Sequence, residues 1–183
     1  HQETLLAAAI VAQAGDEGQV ADYLLNNTGG GFQLEGYNYA IANYFTREGM
    51  SCREVAPGYC AIWPTELVSI ADLMKRFGIN LFAQEKVRRI MLGLERLVVF
   101  EKFTPAIGDS GGVASGAVHL APRIARIGYR EYGGEDFARM LRQSGGSEPG
   151  FSGFEDLFNE PVSVRAQEAK RTPMRSDLMD GYG

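Results

Sequence analysis

The sequence predicts an all-α domain built from antiparallel helix pairs. Two observations carry this. Apolar residues recur at helical spacing in segment after segment, while the alternating apolar–polar pattern of a half-buried strand is almost absent. The segments are also closed by Gly- and Asn-rich breaks of the kind that end helices. Bundles, solenoids and helical toroids all satisfy that pattern, with the longer loops gathered at one end.

In chain order, Glu3 to Ala14 is rich in Ala and Leu and forms the first expected helix. Gly15-Asp16 interrupts it. Glu17 to Asn26 reads as a second helix, stopped by Asn26-Asn-Thr-Gly-Gly-Gly31. Glu35 to Thr46 carries Tyr37, Ile41, Tyr44 and Phe45 at helical spacing and ends before Gly49. Pro64 and Thr65 open a helix through Phe77, because proline suits a first turn whose N–H groups lack helical partners. Leu67, Ile70, Ala71 and Met74 fall on one face of it. Gly78 closes that helix, and Phe82 to Phe100 is expected as the longest helix of the chain. After an irregular stretch from Glu101 to Gly116, shorter helices are expected at Pro122–Tyr132, Glu135–Gln143 and Phe154–Asn159. Residues 1–159 thus read as one helical domain and 160–183 as a linker whose end could begin a strand.

A length of 183 residues is enough for one domain with a real core, and no apolar run approaches the ~20 residues needed to cross a bilayer. A net charge of −5 argues against a general nucleic-acid binder, which would be basic. Arg123, Arg126, Arg130, Arg139 and Arg142 nonetheless cluster late in the chain, either as a solvated face or as a patch for a polyanion. Two cysteines and two histidines offer no convincing metal-ligand set, and no cofactor is expected. Cys52 and Cys60 could close a small disulfide loop, which would suit a secreted or periplasmic protein; two thiols fit equally. The chain opens at His1 without an initiator Met and stops at Gly181-Tyr-Gly183, so it reads as a piece of a longer protein.

The stretch from Glu48 to Tyr59 is the most chemically loaded connection. It runs to about a dozen residues, longer than a usual inter-helix turn, and sets Glu54 and Tyr59 just ahead of a helix. Trp63, beside Tyr59 in sequence, is either core packing or a platform for a sugar ring. Gly108-Asp-Ser-Gly-Gly112 spells the nucleophile motif of chymotrypsin-like proteases, but that machinery needs paired β-barrels holding a histidine and a buried carboxylate. A Gly-rich turn, with Asp109 or Ser110 bonding backbone or lining a cleft, accounts for it better. Gly29-Gly-Gly31 is not followed by Lys-Ser/Thr, so it is no phosphate loop.

Three ordered segments resemble the helical domain of heparinase II/III-like polysaccharide lyases and their alginate-lyase relatives. His1-Gln-Glu-Thr-Leu-Leu-Ala-Ala-Ala9 resembles the family's helix opening; Arg47-Glu-Gly-Met-Ser-Cys-Arg-Glu-Val-Ala-Pro-Gly-Tyr59 is similar to its Asp-Gly-Ser-x-x-Glu-x-x-x-Tyr segment; Pro105-Ala-Ile-Gly-Asp-Ser110 resembles a turn found in many members. The likeness spans roughly residues 1–120. It departs from the family at the asparagine expected before the histidine and at Met50 and Cys52.

The resemblance implies an incomplete (α/α) toroid followed by a β-sandwich, and β-elimination on an acidic polysaccharide. Tyr59 would be the proton-transfer tyrosine, and His1 would lie near the substrate carboxylate or act as partner base. Glu54 would orient His1 or an arginine, and Trp63, Asp109 and Ser110 would line the substrate cleft. A tyrosine serves as acid or base once neighbouring positive charge brings its pKa down from about 10. The alternative function is a non-catalytic helical module that binds carbohydrate or a partner protein through the same cleft. Neither reading calls for nucleic acid or a membrane.

Overall fold

The structure, a computed structural model, describes residues 17–28, 35–53, 56–98, 104–105 and 121–144. These are mostly helical, and the only β pairing among them is an isolated antiparallel bridge between Phe45 and Ser51. The all-α class is therefore what the described residues form. The expected helices at 3–14 and 154–159, the Gly29-Gly-Gly31 run and the tail from Glu160 lie outside them.

Helix α1 (Glu17–Asn26) and helix α2 (Tyr37–Asn43) pack on each other. They are sealed by Leu24, Tyr37 and Ile41, all buried. The Asn38 amide Nδ2 also donates to Asn26 Oδ1 at 2.9 Å. A short helix α3 (Pro57–Cys60) runs through Ala61, which keeps right-handed helical geometry, into α4 (Ile62–Lys75). Pro64 therefore sits at the third position of α4 rather than the first. Proline is tolerated there because the first four N–H groups of a helix have no intrahelical acceptor.

At the other end of α4, Gly78 takes a left-handed φ of +79°. The Ile79 N–H reaches back to the Met74 carbonyl and the Gly78 N–H to that of Lys75. Those two bonds make a Schellman cap, which needs a residue without a Cβ penalty at that position.

The long helix expected over 82–100 is instead segmented. A 3-10 turn (Leu81–Ala83) precedes α5 (Glu85–Gly93), and the chain tightens again into a 3-10 turn at Leu94–Leu97. Helix α6 (Pro122–Tyr132), with proline in its first turn, and α7 (Gly134–Gln143) make a tight hairpin.

The core lies where α4, α5, α6 and α7 meet. The face of α4 read from the sequence, Leu67, Ile70, Ala71 and Met74, is buried throughout, and it faces Val87, Ile90 and Met91 of α5 and Ile124 of α6 within one cluster. Phe137 of α7 fills the space over Gly128, where a Cβ would lie 2.2 Å from the ring. Tyr132 stacks on that ring at 5.6 Å and donates its hydroxyl to the Phe82 carbonyl at 2.8 Å.

Ion pairs tie the outer edges. Arg130 bridges Asp72 of α4 and Glu131, which also takes Lys75. Arg139 pairs with Glu95 and Asp136, and Arg88 reaches the same Asp136 at 3.7 Å. Two of the five late arginines, Arg130 and Arg139, are thus committed to helix–helix contacts rather than to a polyanion.

Candidate functional site

The connection between α2 and α3 folds back on itself, and this creates the site. The Thr46 N–H donates to the Met50 carbonyl and the Cys52 N–H to the Tyr44 carbonyl, both at 2.8 Å, on either side of the Phe45–Ser51 bridge. Gly49 turns the chain with φ +92°, and the Gly49 N–H closes the turn on the Thr46 carbonyl. The expected helix over 35–46 stops at Asn43 for this reason: from Tyr44 onward the backbone is spent on the loop.

Helix α5 holds the loop in place. A Cβ at Gly49 would lie 2.2 Å from the Arg89 carbonyl oxygen, and one at Gly93 would lie 2.7 Å from the Gly49 carbonyl oxygen. Two backbones therefore touch where neither residue carries a side chain. Lys86 Nζ donates to the Phe45 carbonyl at 3.1 Å, and the buried Met50 anchors the turn from below.

The consequence of the reversal is that Arg53 returns over the residue at which the loop began. Its guanidinium carbon stands 4.0 Å from the centroid of the Tyr44 ring, a cation–π distance. Tyr44 is also met edge-on by Trp63 at 5.2 Å and by Tyr39 at 6.0 Å. Tyr59 and Trp63 are four residues apart along a nearly continuous helical run, the spacing that puts two side chains on one face. Tyr59 is exposed and Trp63 half-buried, with Ile62 exposed between them. A run of contacts thus leads from a half-exposed tryptophan through a buried tyrosine to an exposed arginine, with the exposed Tyr59 on the same helical face as the tryptophan.

Electrostatics assign Tyr44 a supporting part. Burial, reinforced by the Glu35 carboxylate, raises its hydroxyl above the usual tyrosine value, against the opposing pull of Arg53. Tyr44 stays neutral at physiological pH and serves as the platform under the cation.

Of the six residues singled out in the sequence, the structure places Tyr59 and Trp63 on this face. His1, Glu54, Asp109 and Ser110 lie outside the described residues. Trp63 packs on Tyr44 and still meets solvent. Cys52 is exposed, Cys60 is buried, and the two are not bridged. Arg53 and Tyr44 were not legible as partners. The available signal was the Tyr37-Asn-Tyr39…Tyr44 aromatic run followed by an arginine, but nothing local indicates that the chain doubles back.

Among the described residues no cluster of His, Cys, Asp and Glu could hold a metal ion, and no helix is long and apolar enough to cross a membrane. An open depression of about 540 Å³ lies along α1, lined by Gly18, Gln19, Asp22, Tyr23, Asn26 and Asn27, and shares no residue with the aromatic face. No protein-family model, curated protein or solved structure matches this chain. What the aromatic face does is therefore argued from its own chemistry.

Proposed function

We propose that the face formed by Arg53, Tyr44, Trp63 and Tyr59 binds an acidic, uronate-containing polysaccharide, and that Tyr59 transfers a proton in its β-elimination. The observation that carries the binding step is the Arg53 guanidinium packed on Tyr44 with Trp63 against the same ring. Sugar rings stack on aromatic faces, and a guanidinium pairs with carboxylates through two parallel N–H bonds. The elimination step rests on the likeness of residues 47–59 to the heparinase II/III-like segment. Residues 1–159 as part of an incomplete (α/α) toroid, a β-sandwich after residue 160, and a secreted or periplasmic location belong to the same proposal.

In that chemistry a base removes the proton at C5 of the uronate, and the electron pair forms the C4–C5 double bond. The C4–oxygen bond breaks, and the departing oxygen takes a proton. Negative charge grows on the uronate carboxylate during the first step, so a cation or aimed donors must meet it. On the likeness to that family, Tyr59 would move the proton, His1 would lie near the carboxylate or act as partner base, and Glu54 would orient His1 or an arginine or hold the loop.

A second reading, a non-catalytic carbohydrate-binding module, is favoured by the position of Tyr59. It is 39% exposed on a surface helix, whereas charge stabilisation in elimination is strongest where water is excluded. Tyr59→Phe separates the two. Unsaturated-uronate absorbance would be followed with alginate, hyaluronan, heparosan and chondroitin as substrates. A signal that disappears in Tyr59→Phe while binding persists supports the lyase. Binding without any signal in the unmodified chain leaves the module, and a signal that survives the substitution removes Tyr59 from the chemistry.

A further inference from the structure

We propose that the depression along α1 is a second binding site, which takes a neutral hexose unit of an oligosaccharide through its ring face and a pair of adjacent hydroxyls. This stands apart from the acidic-polysaccharide reading above, because the depression shares no residue with the Arg53–Tyr44–Trp63 face. An exposed ring, an oriented carboxylate and the absence of cations carry the inference.

Helix α1 presents two neighbouring rows to the depression, Gly18-Asp22-Asn26 and Gln19-Tyr23-Asn27. Each has the i, i+4 spacing that aligns residues along one helix face. Tyr23 is 46% exposed. An aromatic ring left in water offers an apolar face to the C–H face of a pyranose, while its hydroxyl stays wet. Gly18 has nothing within 4 Å of its ideal Cβ, which leaves that end of the Asp22 row open.

Asp22 is oriented by a relay that starts on α2. The Asn38 amide donates to Asn26 Oδ1 at 2.9 Å, and Asn26 Nδ2 in turn donates to Asp22 Oδ1 at 2.8 Å. Asp22 Oδ2 takes no hydrogen bond from the described residues. An ionised carboxylate only accepts, and its two oxygens can receive two protons at once. Adjacent sugar hydroxyls supply such a pair, in charge-assisted bonds about twice as strong as neutral ones. The Gln19 amide adds both a donor and an acceptor to the same surface.

The ligand is neutral because Asp22 is the one charged side chain among the described residues that line the depression. A uronate would bring a second carboxylate with no cation to meet it, and like charges set against each other reject a ligand. The openness of the depression also fits a polar ligand that stays partly hydrated, whereas enclosed pockets for drug-sized molecules are mostly apolar.

The test titrates the full chain with cellohexaose, maltohexaose and mannohexaose, and follows binding in proton–nitrogen correlation spectra. At least one hexaose should bind, with the shifted signals concentrated in α1, including the side-chain amides of Gln19 and Asn26. Asp22→Asn and Tyr23→Ala alter exposed positions, so their melting temperatures should stay close to native. Each should weaken binding by about tenfold or more. Undiminished binding in either variant, or shifts centred on another part of the chain, overturns the assignment. So does failure of the native chain to bind any of the three hexaoses. None of these outcomes bears on uronate binding at the Arg53–Tyr44–Trp63 face, which acidic oligosaccharides test separately.

Discussion

Replacing Gly93 by alanine tests the packing that builds the site, because two effects of opposite sign compete there. Gly93 is the last residue of α5, and a helical glycine exchanged for alanine ordinarily gains ~0.5–1 kcal/mol. Here the new Cβ would stand 2.7 Å from the Gly49 carbonyl oxygen, 3.0 Å from its carbonyl carbon and 3.4 Å from Met50 Sδ. The obstacle is backbone, which cannot rotate aside as a side chain does, and Gly49 is itself pressed on the Arg89 carbonyl. Overpacking of this kind costs ~1–3 kcal/mol. The clash should win, for a net loss of ~0.5–2 kcal/mol.

Gly18→Ala is the control: it lies in the first turn of α1 with nothing within 4 Å of its ideal Cβ, so only propensity acts and stability should rise by up to ~1 kcal/mol. Both variants would be melted beside the native chain by far-ultraviolet circular dichroism, where 1 kcal/mol moves Tm by roughly 2–4 °C at this size. Because the loop pushed by Gly93→Ala carries Tyr44 and Arg53, the emission of Trp63 should shift in that variant and stay unchanged in Gly18→Ala. A Gly93→Ala chain that is as stabilised as Gly18→Ala, with native Trp63 emission, would mean that the Gly49–Gly93 contact does not hold the loop.

Gly128→Ala should cost ~1–3 kcal/mol by overpacking, since its Cβ would sit 2.2 Å from the ring of the fully buried Phe137; a denaturant midpoint equal to the native one would contradict the α6–α7 packing. Stability should also fall at alkaline pH. Burial, and then the charge of Glu131, push the Tyr132 hydroxyl up to about 12, and burial raises that of Tyr37 as well. Unfolded tyrosines ionise near 10, so the stabilisation is whole below about pH 10 and is lost as pH rises through the folded value. Urea titrations between pH 9 and 12 should show that decline, and it should be shallower in Tyr132→Phe; identical slopes in the two chains would count against the assignment.

The sequence made the fold legible where a signal is local. The α4 face was readable because four apolar residues at helical spacing have one way to be buried together. Gly78 was readable as a stop because the Schellman cap needs a left-handed residue. Pro122 marked the start of α6 for a reason internal to the first turn. What failed was the continuity of 82–100, where the apolar pattern runs on while the backbone tightens into 3-10 turns on both sides of α5. Periodicity reports which residues face inward; it does not distinguish one helix from a helix flanked by tighter turns.

The site divides along the same line. Tyr59 and Trp63 could be found because they stand four apart at the entrance to a helix, a relation fixed by sequence spacing alone. The pairing of Arg53 with Tyr44 could not, since it depends on a reversal locked by Gly49 against Gly93 and by Lys86 on the Phe45 carbonyl. Those contacts come from a helix more than thirty residues further along. Their effect is to convert a flexible polar connection into a rigid support for a cation. An exposed arginine ordinarily loses much rotamer freedom when it binds an anion. Bonding the loop backbone and packing the guanidinium on Tyr44 moves part of that loss into folding. The Arg53–Tyr44–Trp63 arrangement thus depends on α5, which contributes no side chain to those contacts, and disturbing Gly93 should weaken the binding proposed for this face without touching the ligand.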